Sequence, residues 1–299
     1  MPTGVPPSWW EKGKAEVRIR FRFSKVGKVR FTSQRDVARM WERALRKARL
    51  PLAYTEGFSP RPQLSFGLAL PTCAESIAEY LDVALDPGRP ETDAVDVDGL
   101  PSQLTPLLPE GITVHESAVV DLRIGSLQQQ VTSCSWVMHF TGVTREALSE
   151  RTAALLEASV VPIRRERKGR ETDDDLRPSI LALSVPDGTD QDVLEGWGLE
   201  SSAPPSVELV AELVTQPRGV RPRELVAGLV AVGRSPGGDG TSTDRTGVGQ
   251  DEIGTVPVLD RACRTQQWIE RDGARWEPLA LRAHPSEPDR AVYASGRAS

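Results

Sequence analysis

At 299 residues the chain has room for two domains of ordinary size, and it has no run near the ~18 consecutive apolar residues of a membrane span. Its three cysteines, Cys73, Cys134 and Cys263, are odd in number and far apart, which excludes a disulfide scaffold and a cysteine-built zinc or iron–sulfur site and points to a reducing cytoplasm. The net charge of −5 conceals a strong polarity: 14 Lys/Arg against 3 Asp/Glu from Lys12 to Arg49, then 11 Asp/Glu against 1 Arg from Pro71 to Asp121.

Residues 1–14 read as a flexible arm with no signal-peptide core. Val17, Ile19, Phe21 and Phe23 then alternate with Arg18, Arg20 and Arg22, the period of a strand with one apolar and one cationic face. Three unpaired buried arginines would be very costly, so the cationic face is expected to meet solvent or an anion. Lys25, Lys28 and Arg30 prolong the basic run. Ser33-Gln34-Arg35-Asp36 has capping-box spacing, and Val37, Met40, Trp41, Ala44, Leu45 and Ala48 follow as a helical stripe that Leu50-Pro51 ends.

The stretch from Tyr54 to Pro71 has two halves. Gly57, Pro60 and Pro62 make a stiff loop, with Phe58 and Arg61 inside it. Leu64, Phe66, Leu68 and Leu70 alternate as a strand, expected to pair near the Arg18–Arg22 strand. Ile77 to Leu85 reads as another strand, in which Glu75, Glu79 and Asp82 make either an acidic site or, as is more usual, the exposed side of an edge. An acidic loop, a short helix over 100–108 and a strand over 112–120 complete the order β-α-β-β-α-β, the split βαβ of a ferredoxin-like domain.

A second such order is predicted from element types alone. Cys134, Trp136, Met138 and Phe140 alternate as a strand, and Thr144 starts a helix. Strands over 160–167 and 179–185, a short helix over 191–197, a strand over 207–214 and a helix from Pro222 to Val232 follow. Seven of the 22 residues from Gly233 to Gly254 are Gly, so residues 233–299 read as a linker and mostly disordered tail; 256–281, with Trp268 and Trp276, is the one part able to dock. The predicted fold is α+β: two ferredoxin-like halves, over 15–122 and 131–232, and a disordered C-terminal tail.

Arg18, Arg20, Arg22, Lys25, Lys28 and Arg30, with Arg61 beside them, form the strongest candidate for phosphate binding. Side chains two apart on a strand lie about 6.8 Å apart, and Tyr54 or Phe58 would add stacking. The competing reading pairs these cations internally with the acidic 71–121 segment. A second charged stretch runs from Arg164 to Pro178. It is either a salt-bridged hairpin tip or a phosphate site of Arg165, Lys168 and Arg177, in which Asp175 orients Arg177 or acts as a base. His115, His139 and His284 lack metal-ligand spacing, and no phosphate-binding glycine loop occurs. No metal or cofactor is expected.

The combination of Arg18-x-Arg20-Phe21, Phe31-Thr32-Ser33-Gln34-Arg35-Asp36, Glu56-Gly57-Phe58-Ser59-Pro60-Arg61-Pro62 and Glu75-Ser76-Ile77-Ala78-Glu79-Tyr80 resembles the radical-SAM-linked protein family, a domain of unknown function. Asp175-Leu176-Arg177-Pro178 and Val220-Arg221-Pro222 fit its later motifs. Two residues depart from its pattern: Gln34 stands where the family usually has His, and Cys73 where it usually has Gly. The resemblance implies a cytoplasmic partner of a separate radical S-adenosylmethionine enzyme, since this chain lacks the Cys-x3-Cys-x2-Cys triad of such a cluster. The expected function is an RNA-binding accessory protein for tRNA or ribosomal RNA modification, with Gly57, Phe58, Pro60 and Pro62 shaping the site. The alternatives are an RNA-modifying or RNA-cleaving enzyme using Asp175 or Glu56, and a protein–protein adaptor for the radical enzyme.

Overall fold

In the computed structural model, which describes residues 17–120, 125–167, 169–187, 206–233 and 255–280, the alternation at the start of the chain becomes β1 (Val17–Lys25). Ile19, Phe21 and Phe23 face α1 (Gln34–Lys47), whose Val37, Trp41, Ala44 and Leu45 are buried against them. The Trp41 ring lies 5.6 Å from Phe21 and 5.0 Å from Phe23, centroid to centroid. Each is an edge-rich geometry that aromatic pairs favour. Ser33 caps α1 by accepting the Asp36 N–H at 3.2 Å, as the capping spacing predicts. The helix closes with Arg49 N–H on the Arg46 carbonyl and Leu50 N–H on the Leu45 carbonyl, 3.0 and 3.3 Å. This is a Schellman end with Arg49, at φ 57°, where glycine is usual.

The chain divides into two compact units that interleave in sequence, rather than at a single linker. Unit 1 comprises residues 1–72, 78–130 and 269–299; unit 2 comprises 73–77 and 131–268.

In unit 1 the elements after α1 are β2 (Leu64–Phe66), β3 (Glu75–Leu85, entering from unit 2), α2 (Leu100–Leu104), β4 (Ile112–Val120) and α3 (Leu127–Gln130). β4 pairs antiparallel with β1, β1 neighbours β3, and β2 pairs antiparallel with β3. β2 therefore lies next to β3, with β3 between it and β1. It is also shorter than the predicted alternation, stopping at Phe66. Every residue of β3 is buried. This corrects the edge-strand expectation: Glu75, Glu79 and Asp82 are 0%, 6% and 2% exposed. Gly111, at φ 91°, makes the turn into β4, and its carbonyl accepts the Val26 N–H at 2.8 Å.

In unit 2, β5 (Ser133–Val143) runs antiparallel to β9 (Val207–Val214), and β9 to β8 (Ile180–Ser184). α4 (Arg145–Glu157) and α5 (Pro222–Val232) pack together, while β6 (Pro162–Arg167) and β7 (Arg170–Asp175) form a separate hairpin. The helix predicted over 191–197 lies outside the described residues. On its other edge β5 pairs with β10 (Thr255–Arg271), a 17-residue strand from the segment predicted to be mostly disordered. Within unit 2, β10 also pairs parallel with the start of β3, at Cys263↔Glu75 and Arg264↔Ser76. The end of β10 turns back as β11 (Ala274–Trp276) in unit 1.

The polar residues of β10 explain why it was not legible as a strand. Arg264 and Gln267 are buried, at 2% and 0%, and break the apolar alternation that signals strands. Inside the fold the arginines of β10 have company. The Arg264 guanidinium sits 5.6 Å from the Trp136 ring, and Arg261 pairs with the buried Glu75.

Candidate nucleic-acid interface

The cationic face of β1 is mostly used inside unit 1. Arg20 is 2% exposed and grips Asp82 of β3 through two parallel bonds, Nε to Oδ1 at 2.7 Å and Nη2 to Oδ2 at 2.9 Å. Its Nη1 donates to the Pro278 carbonyl at 3.0 Å. Fork-to-fork pairing of this kind is what allows a guanidinium to be buried at all. Arg22 reaches Glu277 at 2.9 Å and Glu116 at 3.5 Å. Lys25 is 3% exposed and donates to the Thr32 carbonyl at 2.9 Å. Internal pairing with the acidic 71–121 segment, the competing reading of this strand, thus describes Arg20 through Asp82 and Arg22 in part through Glu116, while Lys25 is held by a backbone carbonyl outside that segment. Arg18 is half-buried.

Around Arg22 the charges are tightly balanced. The Tyr80 hydroxyl donates to Glu277 Oε1 at 3.3 Å, and burial followed by that carboxylate pushes the phenol well above its ordinary range. His115, half-buried on β4, is held below its usual imidazole range, first by burial and then by Arg22.

The second charged stretch, in unit 2, is divided: Arg164 stays at the surface, 3.6 Å from Glu171 and 3.7 Å from Asp173, while Arg165 turns inward. Arg165 is 4% exposed; it donates from Nη1 to Asp174 at 2.7 Å and pairs through Nε with Glu224 at 3.2 Å. Glu224 also accepts the Arg221 N–H at the start of α5, at 2.8 Å. Asp175 takes two backbone N–H groups on one oxygen, from Val161 at 2.8 Å and Arg177 at 3.0 Å, and so shapes the turn after β7. The half-buried Arg177 donates to the carbonyls of Leu156, at the end of α4, and Ile180, at 3.1 and 3.2 Å. Lys168 lies outside the described residues. Among the described residues no group of three or more His, Cys, Asp or Glu is placed to hold a metal ion. His139 is buried, and His284 lies outside the described residues.

The exposed cations of unit 1 lie elsewhere, five of them on α1. Arg35, Arg39, Arg43, Arg46 and Lys47 are all exposed, at spacings of four, four, three and one that make one stripe about 18 Å long. Two of them touch acids of their own helix at its surface, Arg39 with Asp36 at 3.3 Å and Arg46 with Glu42 at 3.2 Å. Such exposed pairs are weak and exchange readily for another anion. The Ser33 hydroxyl, before the Arg39 guanidinium, holds the Asp36 carboxyl below its usual range. Before the stripe, Lys28 is exposed and the half-buried Arg30 stacks 4.8 Å from the ring of Phe31, which is 57% exposed. After it come the exposed Arg49, Tyr54, Phe58 and Arg61. Glu56 is exposed on the same loop as Gly57 and Pro60, while Pro62 is buried at its base.

The stripe was present in the sequence but masked by the stronger strand alternation. Arg35, Arg39 and Arg43 interleave with the Val37–Ala48 core positions at the same period, on the opposite side of the helix.

The class of protein these features define is a mixed α+β chain in two units, one of which bears an exposed cationic helix. More particularly, residues 18–215 match the family described as an uncharacterized protein conserved in bacteria (DUF2344), and the chain belongs to that family. The match runs from β1 to just past β9 and leaves out α5, β10 and β11. No curated protein matches the sequence. No helix among the described residues is long and apolar enough to cross a membrane.

Proposed function

We propose that this chain is a cytoplasmic RNA-binding accessory protein, working with a separate radical S-adenosylmethionine enzyme that modifies tRNA or ribosomal RNA. The observation that carries the RNA part is the exposed stripe Arg35, Arg39, Arg43, Arg46 and Lys47 on one face of α1. An unburied helix face with this charge density is the electrostatic footprint expected of a phosphate-backbone contact. The partner enzyme rests on the resemblance of the sequence motifs. The order β1-α1-β2-β3-α2-β4, with strands placed β4-β1-β3-β2, supports a ferredoxin-like reading of unit 1.

On this reading α1 replaces β1 as the phosphate-contacting element, with Lys28, Arg30 and Arg61 as flanking cations. The test is a salt titration of RNA binding by filter retention. In single-stranded RNA, each lost phosphate contact flattens the log–log salt slope by about 0.7, so Arg35→Glu/Arg39→Glu/Arg43→Glu flattens it by about 2 and weakens binding at every salt concentration. A triple variant that keeps the wild-type affinity and slope sinks the proposal. If a partner enzyme is captured from nuclease-treated lysate while no RNA binds, the chain is an adaptor instead.

A further inference from the structure

We infer that the loop over residues 53–63 is a stacking platform for an unpaired nucleobase, with Phe58 as its ring; this deepens the RNA-binding reading above and rests on it. The base of the loop is built like a ladder. Ala53 N–H donates to Ala84 at 2.9 Å, Gln63 N–H to Ala53 at 2.9 Å, and Ala84 N–H to Gln63 at 3.1 Å. Above this, Thr55 N–H donates to the Arg61 carbonyl at 2.9 Å, and Arg61 N–H to the Thr55 hydroxyl at 3.1 Å. The Gln63 amide donates to the Tyr54 carbonyl at 3.1 Å, and Tyr54 bridges to Pro62. What remains as the tip is Glu56-Gly57-Phe58-Ser59-Pro60, stiffened by Pro60 and turned by Gly57 at φ 120°.

Phe58 is 110% exposed at that tip, more than in an extended reference peptide. A phenyl ring carried on an anchored base and touching nothing of its own fold is placed for something outside it. The charge around it, three exposed cations against the one carboxylate of Glu56, favours nucleic acid over an apolar protein pocket. Arg61 is exposed at the end of the tip, and Lys47 and Arg49 are exposed just before the loop begins. Arg49 and Tyr54 are five positions apart, a reach of at most about 18 Å. Arg49 also holds its cation at a position where φ 57° ordinarily selects glycine. The half-exposed Tyr54 sets a second ring at the base of the same loop. Rings flanked by guanidinium groups are how single-stranded nucleic acid is held, each base stacking while its phosphates meet the cations. A paired duplex offers no free base face to Phe58, so the platform predicts a preference for unpaired RNA.

The experiment compares a labelled, unstructured RNA of about 12 nucleotides, within the usual site-size range, with a duplex of the same length by fluorescence anisotropy. Phe58→Ala is expected to weaken single-strand binding by about 5- to 150-fold, to leave duplex binding within about twofold, and to be rescued by Phe58→Trp. Because Phe58 packs against nothing, the variant should melt with the wild type. If Phe58→Ala changes neither RNA while the α1 triple variant weakens both, the platform is wrong and the RNA reading stands. If the wild-type protein binds neither RNA, both fall. If Phe58→Ala spares RNA but abolishes association with a protein partner, the loop is a protein-docking element and the inference is overturned.

Discussion

Replacing Arg20 by alanine separates a structural cation from a phosphate-binding one. Arg20 and Asp82 are joined by bonds of 2.7 and 2.9 Å, with side chains only 3% and 2% exposed. Removing the guanidinium leaves a carboxylate without its counter-charge in a space that water does not reach. Breaking a buried pair in this way costs about 3–5 kcal/mol, a large share of the ~5–15 kcal/mol that holds a typical domain. The Pro278 carbonyl loses its donor as well, about 1 kcal/mol more. An apolar pair of similar size, Arg20→Met with Asp82→Leu, removes both charges together and should recover most of the loss, short of the Pro278 bond. Urea unfolding followed by circular dichroism reads the difference as a lower midpoint at unchanged slope for Arg20→Ala, and a near-wild-type midpoint for the double variant. The reasoning is refuted if Arg20→Ala keeps the wild-type midpoint yet loses RNA affinity. The guanidinium would then be serving a phosphate and not Asp82.

Two further substitutions probe unit 1. A Cβ at Gly111 would lie 2.3 Å from the Val26 carbonyl oxygen, a backbone atom, at a φ of 91° that L residues rarely adopt. Gly111→Ala should therefore destabilise by more than about 1 kcal/mol in the same unfolding assay, and a neutral result would mean that the turn into β4 is free to shift. His115 is held below its ordinary value by burial and by Arg22, so the unfolded chain binds its proton more readily than the folded one. Stability from this group is present above about pH 6.5 and lost as pH falls below it, because the unfolded state then takes up the proton first. Melting temperature should accordingly fall less between pH 7 and 5.5 in His115→Gln than in the wild type; equal slopes would remove His115 as a source of acid sensitivity.

Much of unit 1 was legible because its signals are local. Val17–Phe23 alternates strictly, the Ser33–Asp36 cap is a four-residue pattern, and the Val37–Ala48 stripe identifies the buried side of α1 correctly. β3 is legible as a strand, but its burial is not. Its carboxylates looked like an edge facing water, whereas Asp82 is matched by Arg20, more than sixty positions away. Pairings of that separation leave no trace in a window of ten residues. β10 was obscured for the same reason, its buried Arg264 being accommodated by Trp136 across the sheet of unit 2.

Alternation states which side chains share a face; it does not state whether that face is covered. For β1 the distinction decides the function assigned to the arginines. The segment after β11 supplies Glu277 to Arg22 and the Pro278 carbonyl to Arg20, and both strand faces are occupied. A helix packed on one side of a sheet keeps an outward face that no neighbouring strand can cover. The Arg35–Lys47 stripe lies on such a face, flanked in sequence by Phe31 and Phe58. The local basic excess of the first fifty residues is thus divided by the fold, with Arg20, Arg22 and Lys25 directed into unit 1 and the α1 cations left exposed. Charge reversal on α1 should therefore change binding with little effect on folding, and Arg20→Ala should do the reverse. A single cationic surface shared by β1 and α1 would make the two sets of variants indistinguishable in both assays.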